Sequence, residues 1–543
     1  MINTAKLKGN VKMGSQGTQG ELYSPLAKES AESFAKPSNR EVQDAAHDAN
    51  PVLVQGDFRD FTDSREYPPR RPLFAGGKVR LFGHFVPIQI LLLAFAELLA
   101  FTAAGFFGAH HSGMAVDFAA MLHLPVSTLF PGPVILLLSL GAVGLYSAHQ
   151  RADLKGVFSR ALVALGVTAI TLQIIYGLFP AQALDAVTLG WMGLLSVVAF
   201  STTRYFFYRH CDGALLVRRV LVVGTGKRAR SIERLRRKAD RRGFKLMGFA
   251  DVSTNSGYMH VSPDRIVTSG HRFCRYALEN HIDEIVVALD DRRQGAVPTE
   301  ELLNCRMSGI EVVDLLDFFE RETAKIRLDL LRPSWLIHAD GFRRHVLRDS
   351  SKRLFDVSLS ALLLVATLPL MVLTAAAIYF ESGGKGSVFY RQRRVGQHGN
   401  PFDLIKFRSM RMDAEKDGKA RWASENDPRV TRVGSFIRKY RLDELPQLWN
   451  VLRNDMSIVG PRPERPQFVD QLSRLSPLYK ERHRVKPGIA GWAQLRYPYG
   501  ASEQDSIEKL QYDLYYVKNH RLLFDLYILI QTVEVVLYTK GAR

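Results

Sequence analysis

Cysteine is scarce: 543 residues carry three, Cys211, Cys274 and Cys305, and no two lie close together. Neither a disulfide framework nor a cysteine-based zinc site is indicated, and a reducing, cytoplasmic face fits. An apolar h-region near Met1 is missing, so no signal peptide is expected. No tyrosine is followed by a lysine four residues later, which removes the pair that short-chain sugar dehydratases and epimerases use. Acidic residues are outnumbered, with Asp+Glu 54 against Lys+Arg 73 and a formal charge of +19. Such a bias suits nucleic acid, an anionic membrane surface or phosphorylated substrates. Long apolar runs decide for the last two, with membrane lipid and no nucleic acid as expected partners.

A chain of this length implies two or three domains. Residues 1–78 are polar, show no sustained apolar period and read as a disordered cytoplasmic tail, with a basic run at the junction to the next segment, Arg70, Arg71, Lys78 and Arg80. Residues 79–210 hold four apolar runs, 85–107, 131–148, 161–180 and 187–207, each near the ~20 residues that cross a bilayer. Lys and Arg precede the first, separate the second from the third (Arg151, Lys155, Arg160) and follow the fourth (Arg209, Arg218, Arg219), and the other two loops have none. Both ends of a four-helix transmembrane bundle are therefore expected in the cytoplasm. Glu97 lies inside a span. It is either a functional acid or one satisfied by a structural partner.

Residues 211–330 read as a Rossmann-like α/β domain. Val220–Val223 forms a buried-strand run, Gly224-Thr225-Gly226 a turn, and further parallel strands are expected at 249–251, 284–289 and 310–314. Ala229 and Asp251 stand where a dinucleotide fingerprint would have its third small residue and its ribose acid, and Lys227, Arg228 and Arg230 would surround such a ligand. A structural or regulatory domain without nucleotide explains the same residues.

An arginine-rich linker, 331–350, leads to an apolar run, 354–380, with Pro369 near its middle. Both flanks are strongly basic (Arg343, Arg344, Arg348, Lys352, Arg353; Lys385, Arg391, Arg393, Arg394), which places both ends on one side. A re-entrant membrane helix breaking at Pro369 fits this better than a kinked full crossing. Further on, Asp443 and Glu444 lie among Arg438, Lys439, Arg441 and Arg462. Pro446 suits a helix's first turn, so a helix starting at either acid and running through Leu452 is expected, with the acids ~100° apart. A nucleophilic carboxylate, an anion site and guanidinium groups are the parts of a phosphoryl-transfer site; an N-capping acid beside a solvated basic face is the plainer reading.

Residues 351–543 resemble the bacterial sugar transferase family of monotopic polyprenyl-phosphate hexose-1-phosphate transferases. The blocks that match are Phe389–Gly396, Lys406–Met410, Asn426–Thr431, Leu442–Asn450, Met456–Pro463 and Lys486–Gln494. With the bundle and the Rossmann-like domain, the chain is similar to the large-chain branch that primes exopolysaccharide synthesis. The fold expected is thus membrane α plus α/β, with a mainly helical C-terminal catalytic domain.

The resemblance implies a two-step transfer of hexose-1-phosphate from a UDP-sugar, glucose first and galactose next, to undecaprenyl phosphate, with UMP released. Asp443 would be the nucleophile, and Glu444 a metal partner or an acid/base group. Mg²⁺ would be held by Asp443 and Glu444. Lys406, Arg408, Arg438 and Arg462 would line the phosphates, and Arg391, Trp492 and Gln494 would support the rest of the donor, unless Trp492 serves packing alone. Two departures stand out: Leu368-Pro369 where Ser-Pro is usual, and Arg441 where Ser or Thr is common. The segment 522–538, apolar but for Asp525, Gln531 and Glu534, is expected to rest on the membrane interface. The location implied is the bacterial inner membrane, multi-pass, with the catalytic domain on the cytoplasmic face. A homo-oligomer and polysaccharide-assembly proteins are candidate partners. A membrane-bound NAD-dependent nucleotide-sugar dehydratase and a non-catalytic scaffold are the alternative functions.

Overall fold

A computed structural model of the chain describes residues 78–81, 84–111, 131–146, 154–180, 183–210, 217–235, 240, 243–252, 259–270, 272–290, 297–331, 346–414, 427–497 and 502–537. The tail with Arg70 and Arg71, Arg151, Cys211, most of the linker with Arg343 and Arg344, Asn426 and Tyr538 lie outside the described residues.

Strands β1 (Lys78–Leu81) and β2 (His84–Pro87) pair antiparallel ahead of the membrane helices. Helices α1 (Ile88–His111), α3 (Leu154–Leu178) and α4 (Ala186–His210) are long and apolar enough to cross a membrane. Between them α2 (Pro131–Ala142) has 12 residues, ~18 Å of rise against the ~30 Å of a hydrocarbon core. The expected span 131–148 is thus cut short, for a local reason. Gly144 takes a left-handed φ of 84°, the Leu145 N–H donates to the Leu140 carbonyl at 3.0 Å, and the Gly144 N–H donates to Gly141 at 3.0 Å. This is a glycine-terminated helix end. Arg160 and Arg204 donate to the freed carbonyls of Val143 (2.8 Å) and Leu145 (3.1 Å). Glu97 is fully buried, paired with Arg204 at 2.6 Å and hydrogen-bonded by the Tyr146 hydroxyl. Of its two readings, the satisfied structural acid holds.

The α/β domain runs β3 (Arg218–Val223), α5 (Lys227–Glu233), β4 (Phe244–Asp251), β5 (Ile266–Ser269), α6 (Phe273–Glu279), β6 (Glu284–Val287), α7 (Thr299–Met307), β7 (Glu311–Asp314) and α8 (Leu315–Thr323). Its five strands are all parallel in the order β5-β4-β3-β6-β7. Each face carries an apolar cluster, one around Val220, Val222 and Phe318, the other around Leu221, Val223 and Phe273. This is why the central strands read as unbroken apolar runs. Within this sheet only β5, Ile266–Ser269, is not among the expected strands; its β-branched run is three residues long.

The expected nucleotide position is taken by the protein itself. The Asp290 carboxylate accepts from the backbone N–H groups of Lys227 (2.7 Å) and Arg228 (2.8 Å) at the start of α5, where the fingerprint would hold a pyrophosphate. A Cβ at Gly226 would overlap that carboxylate. Asp251 accepts from the Thr225 hydroxyl at 3.0 Å. The NAD-dependent alternative loses its binding geometry.

Residues 324–331 lead out of this domain. Ile326 is buried in the same apolar cluster as Val395, Val451 and Trp492, and its N–H donates to Gln511 at 3.0 Å. The C-terminal part then comprises α9 (Val346–Glu381), the antiparallel hairpin β8 (Phe389–Val395) and β9 (Pro401–Phe407), α10 (Arg432–Lys439), α11 (Gln447–Leu452), β10 (Ser457–Val459), α12 (Pro466–Leu475), β11 (Gly488–Ala490) parallel to β10, α13 (Trp492–Arg496), α14 (Glu503–Asn519) and α15 (Leu522–Leu537).

The helix α9 is continuous over 36 residues with Pro369 inside it, so the secondary structure is not interrupted at the proline as expected. The first hairpin is tied into this assembly, because Lys78 pairs with Glu322 of α8 (3.2 Å) and Arg80 donates to Asn519 of α14 (2.9 Å). In α15 the polar residues that suggested an interfacial helix have internal partners. Asp525 binds Lys352 (2.7 Å) and the Tyr516 hydroxyl (2.8 Å), Glu534 pairs with Arg160 of α3 (3.1 Å), and Phe524 and Ile528 are buried in the C-terminal core. The helix is held between that core and the bundle, so these polar groups are satisfied internally, while Leu523, Val533 and Val536 stay exposed.

Candidate active site

The site begins with how α11 is fixed. Asn450 is 1% exposed. Its side chain accepts from the Ile405 N–H (3.0 Å), donates to the Asp403 carbonyl (2.8 Å) and reaches Asp455 (3.3 Å). The end of β9, with Lys406, is thereby held against the turn that precedes α11. The N-terminal end of α9 grips the same helix, with Arg353 donating to the carbonyls of Val451 (2.7 Å) and Leu452 (2.9 Å). Asp356 accepts from the Ile458 N–H at 3.2 Å. The other end of α9 returns to this domain: Ile378 packs with Phe407 and Ile437, and Glu381 accepts from the Val433 N–H (3.0 Å).

The acids do not sit on the first turn of a helix. Leu442–Glu444 is a separate 3-10 turn, Pro446 is the residue before α11, and α11 has six residues. Arg441 explains the break. It adopts a left-handed φ of 56°, closing α10 and forcing i to i+3 bonds, with the Glu444 N–H to Arg441 (3.2 Å) and the Leu445 N–H to Leu442 (3.2 Å). A side chain other than Gly, Asn or Asp in this region is strained, and such strain concentrates at functional positions.

The two acids are electrostatically distinct. Asp443 is 9% exposed; burial, and then repulsion from Glu444, pushes its carboxyl up to about 6, against the pull of Lys406, Arg462 and Arg438. Glu444, despite burial, is held below the usual carboxylate range by Arg462 (2.8 Å) and Arg441 (3.5 Å). Burial, and then the Arg394 charge, brings the Lys406 ammonium down to about 8. Its Nζ lies 5.3 Å from the centre of the Tyr390 ring. Two neighbouring carboxyls driven apart in this way divide into one group free to react and one locked in its ionised form. Among the described residues, no hydrogen bond occupies the Asp443 carboxylate, whereas both oxygens of Glu444 face guanidinium groups.

Lys406, Arg438 and Arg462 are therefore brought to the acids. Arg408 is not: its guanidinium donates to the Lys385 carbonyl at 3.2 Å. Arg391 lies opposite Ile405 in the hairpin, while Tyr390 lies opposite Lys406, so Arg391 is on the other face. Arg394, three residues on, shares the face of Lys406 and donates to the Pro463 carbonyl (3.0 Å). Strand alternation carries this distinction, but parity depends on the hairpin register, which only the structure supplies. Trp492 is 1% exposed, donates to the Ala324 carbonyl (2.9 Å) and stacks among Tyr515, Phe524 and Tyr527. This is its packing role. Gln494 lies on α13 beside Gly491. Arg482, not singled out in the sequence, is buried behind Arg462, donating to its carbonyl (2.9 Å) and pairing with Asp513 (2.8 Å).

Comparison with known proteins agrees with this geometry. Residues 347–539 match the family described as "Bacterial sugar transferase". The chain is 39% identical over 261 residues to a UDP-N-acetylgalactosamine-undecaprenyl-phosphate N-acetylgalactosaminephosphotransferase of Aeromonas hydrophila, covering 48% of this chain and 60% of that one. It is 31% identical over 392 residues to a UDP-glucose:undecaprenyl-phosphate glucose-1-phosphate transferase of Xanthomonas campestris pv. campestris, covering 68% and 79%. A protein of the same description from Klebsiella pneumoniae is 33% identical over 334 residues, covering 60% and 69%. The second match extends well beyond the C-terminal part, and together with the acid pair and its cations it shows that the chain belongs to the bacterial sugar transferase family.

Proposed function

We propose that this protein transfers hexose-1-phosphate from a UDP-sugar to undecaprenyl phosphate through a covalent intermediate on Asp443, and so starts exopolysaccharide assembly. The observation that carries this is the divided acid pair: a carboxylate without a hydrogen bond, raised in pKa, beside one locked by guanidiniums, with two further cations, Lys406 and Arg438, acting on it. An Asp443 oxygen attacks the β-phosphorus of the donor, and the bond from that phosphorus to the bridging oxygen breaks. UMP leaves with the electron pair. A phosphate oxygen of the lipid carrier then attacks the same phosphorus, the acyl-phosphate bond breaks, and the Asp443 carboxylate is restored. Lys406, Arg438 and Arg462 offset the charge that builds on the phosphates in both steps.

The donor set fits Mg²⁺. Asp443 offers free oxygens, Glu444 stands beside it, and a magnesium ion takes most of its ligands from water and substrate phosphate. When bound, held by Asp443 with Glu444, it would neutralise phosphate charge. Support for a re-entrant α9 comes from both its ends meeting one domain, while Leu362, Val365, Leu368 and Leu373 between them are exposed. The basic flanks support a position of this domain on the cytoplasmic side of the inner membrane.

The test is UMP release by purified protein in nanodiscs with Mg²⁺, undecaprenyl phosphate and a panel of UDP-glucose, UDP-galactose and UDP-N-acetylgalactosamine. Turnover with one donor is expected, UDP-glucose first; folded protein inert towards all three would sink the proposal. The pH profile of kcat/KM follows from the same groups. Asp443 must be ionised, so activity rises as pH passes about 6. Lys406 must be charged, so activity falls as pH passes about 8. A flat profile from pH 5 to 9 would contradict these assignments.

A further inference from the structure

A cleft of about 670 Å³ opens between the α/β domain and the C-terminal domain, lined by α5, residues 325–329 and α14. This volume lies in the range of small-molecule sites. Its charge is one-sided. Lys227 and Arg230 on α5 and Arg234 at its C-cap recur at intervals of three and four, which places them on one side. The two acids of the cleft are already matched, Glu508 to Lys325 (3.2 Å) and Asp329 to Arg327 (2.8 Å). Among the described residues, no carboxylate pairs with the side chains of Lys227, Arg230 or Arg234. Leu235, Leu328 and Ile507 supply apolar wall, and Ser231, Gln504 and His260 supply polar groups. The carboxamide oxygen of Gln511, a residue of the same wall that is 5% exposed, has no hydrogen-bond partner.

We propose that this cleft binds a soluble, multiply charged phosphate ligand of the nucleotide kind and that its occupancy is read at the acid pair. Three cations on one wall, without a carboxylate partner among the described residues, suit two or more phosphate charges, and the apolar wall suits a base or sugar ring. This place is separate from the start of α5, which Asp290 has filled. A continuous set of contacts leads inward. Two turns of helix or less separate the cleft residues Glu508 and Gln511 from Asp513 on α14. Asp513 holds Arg482 (2.8 Å), Arg482 holds the Arg462 carbonyl (2.9 Å), and the Arg462 guanidinium holds Glu444 (2.8 Å). A ligand that draws α5 towards α14 therefore bears on the position of Arg462. The coupling rests on the transferase reading; the binding does not.

The test is titration of the full chain in nanodiscs with ADP and with inorganic pyrophosphate, without Mg²⁺, for wild type, Arg230→Glu/Arg234→Glu, Lys227→Gln/Arg230→Gln and Arg462→Met. All the substituted α5 side chains are exposed, and circular dichroism checks each fold. Saturable binding is expected in wild type and Arg462→Met alike. It should weaken at least tenfold in both α5 variants and fall steeply with salt. Equal affinity in the α5 variants, loss in Arg462→Met alone, or no saturable binding to wild type overturns the site. With ADP saturating and Mg²⁺ in excess, a KM for the UDP-sugar shifted at least threefold in wild type but not in Arg230→Glu/Arg234→Glu supports the coupling. An unshifted KM in wild type overturns the coupling alone.

Discussion

Replacing Asp443 with Asn is expected to lower UMP release roughly 10⁴-fold or more while making the folded protein more stable. The loss follows from removing the nucleophile. The gain follows from the direction in which the fold moves the carboxyl. It titrates near 6 in the folded protein, raised by burial first and by Glu444 second, against 3.8 when unperturbed. An acid raised in the fold contributes its stability below the unfolded value, and that contribution is lost as pH rises through about 6. At pH 7.5 the buried charge therefore costs up to ~3 kcal/mol, at ~1.4 kcal/mol for each pH unit between the two values. Asn has nearly the same shape and carries no charge. Thermal unfolding at pH 7.5 should show a midpoint several degrees higher for the variant, with the difference vanishing near pH 3.5. A variant less stable than wild type at pH 7.5 would mean that Asp443 is a structural acid, and the plainer reading of the sequence would return.

Substituting Arg462 with Met should separate catalysis from stability in a different way. Its side chain is 46% exposed, whereas that of Glu444 is 11% exposed. An ion pair so open to solvent contributes on the order of 1 kcal/mol or less to folding. Its contribution to the reaction is larger, because a guanidinium placed where phosphate charge builds is commonly worth roughly 10²- to 10³-fold in kcat. UMP release should fall by about that factor, with the thermal midpoint little changed. The acid limb of the pH profile should also move, because Glu444 would lose its strongest partner and its carboxyl would rise towards that of Asp443. Wild-type turnover in this variant would remove Arg462 from the site.

These expectations rest on details that differ in how far the sequence exposes them. The parallel sheet is legible because β3 and β6 are buried on both faces and carry unbroken apolar runs. The acid pair is legible because Asp443 and Glu444 lie among arginines within one short block. What escapes depends on partners far along the chain. Asp290, distant in sequence from Gly226, fills the start of α5. Arg160 and Arg204 complete the short end of α2, and Arg160 and Lys352 claim the acids of α15. Nor does sequence give a hairpin register, so Arg391 could not be told from Arg394. The helix expected at Asp443 fails for a backbone reason, since the left-handed Arg441 diverts the chain into a 3-10 turn before Pro446 can begin α11. Trp492 shows that a residue inside a motif block can serve the core alone.

The central claim is that Asp443 carries the sugar phosphate between the two half-reactions. The direct measurement uses UDP-glucose labelled with ³²P at the β-phosphate, mixed with wild-type protein in the absence of undecaprenyl phosphate and quenched. The account predicts label bound to protein, released by hydroxylamine as an acyl phosphate should be, mapped to the peptide containing Asp443, and chased into lipid when the carrier is added. Efficient transfer to lipid with no protein-bound label at any time, or label on Glu444 with Asp443→Asn still labelled, would contradict it.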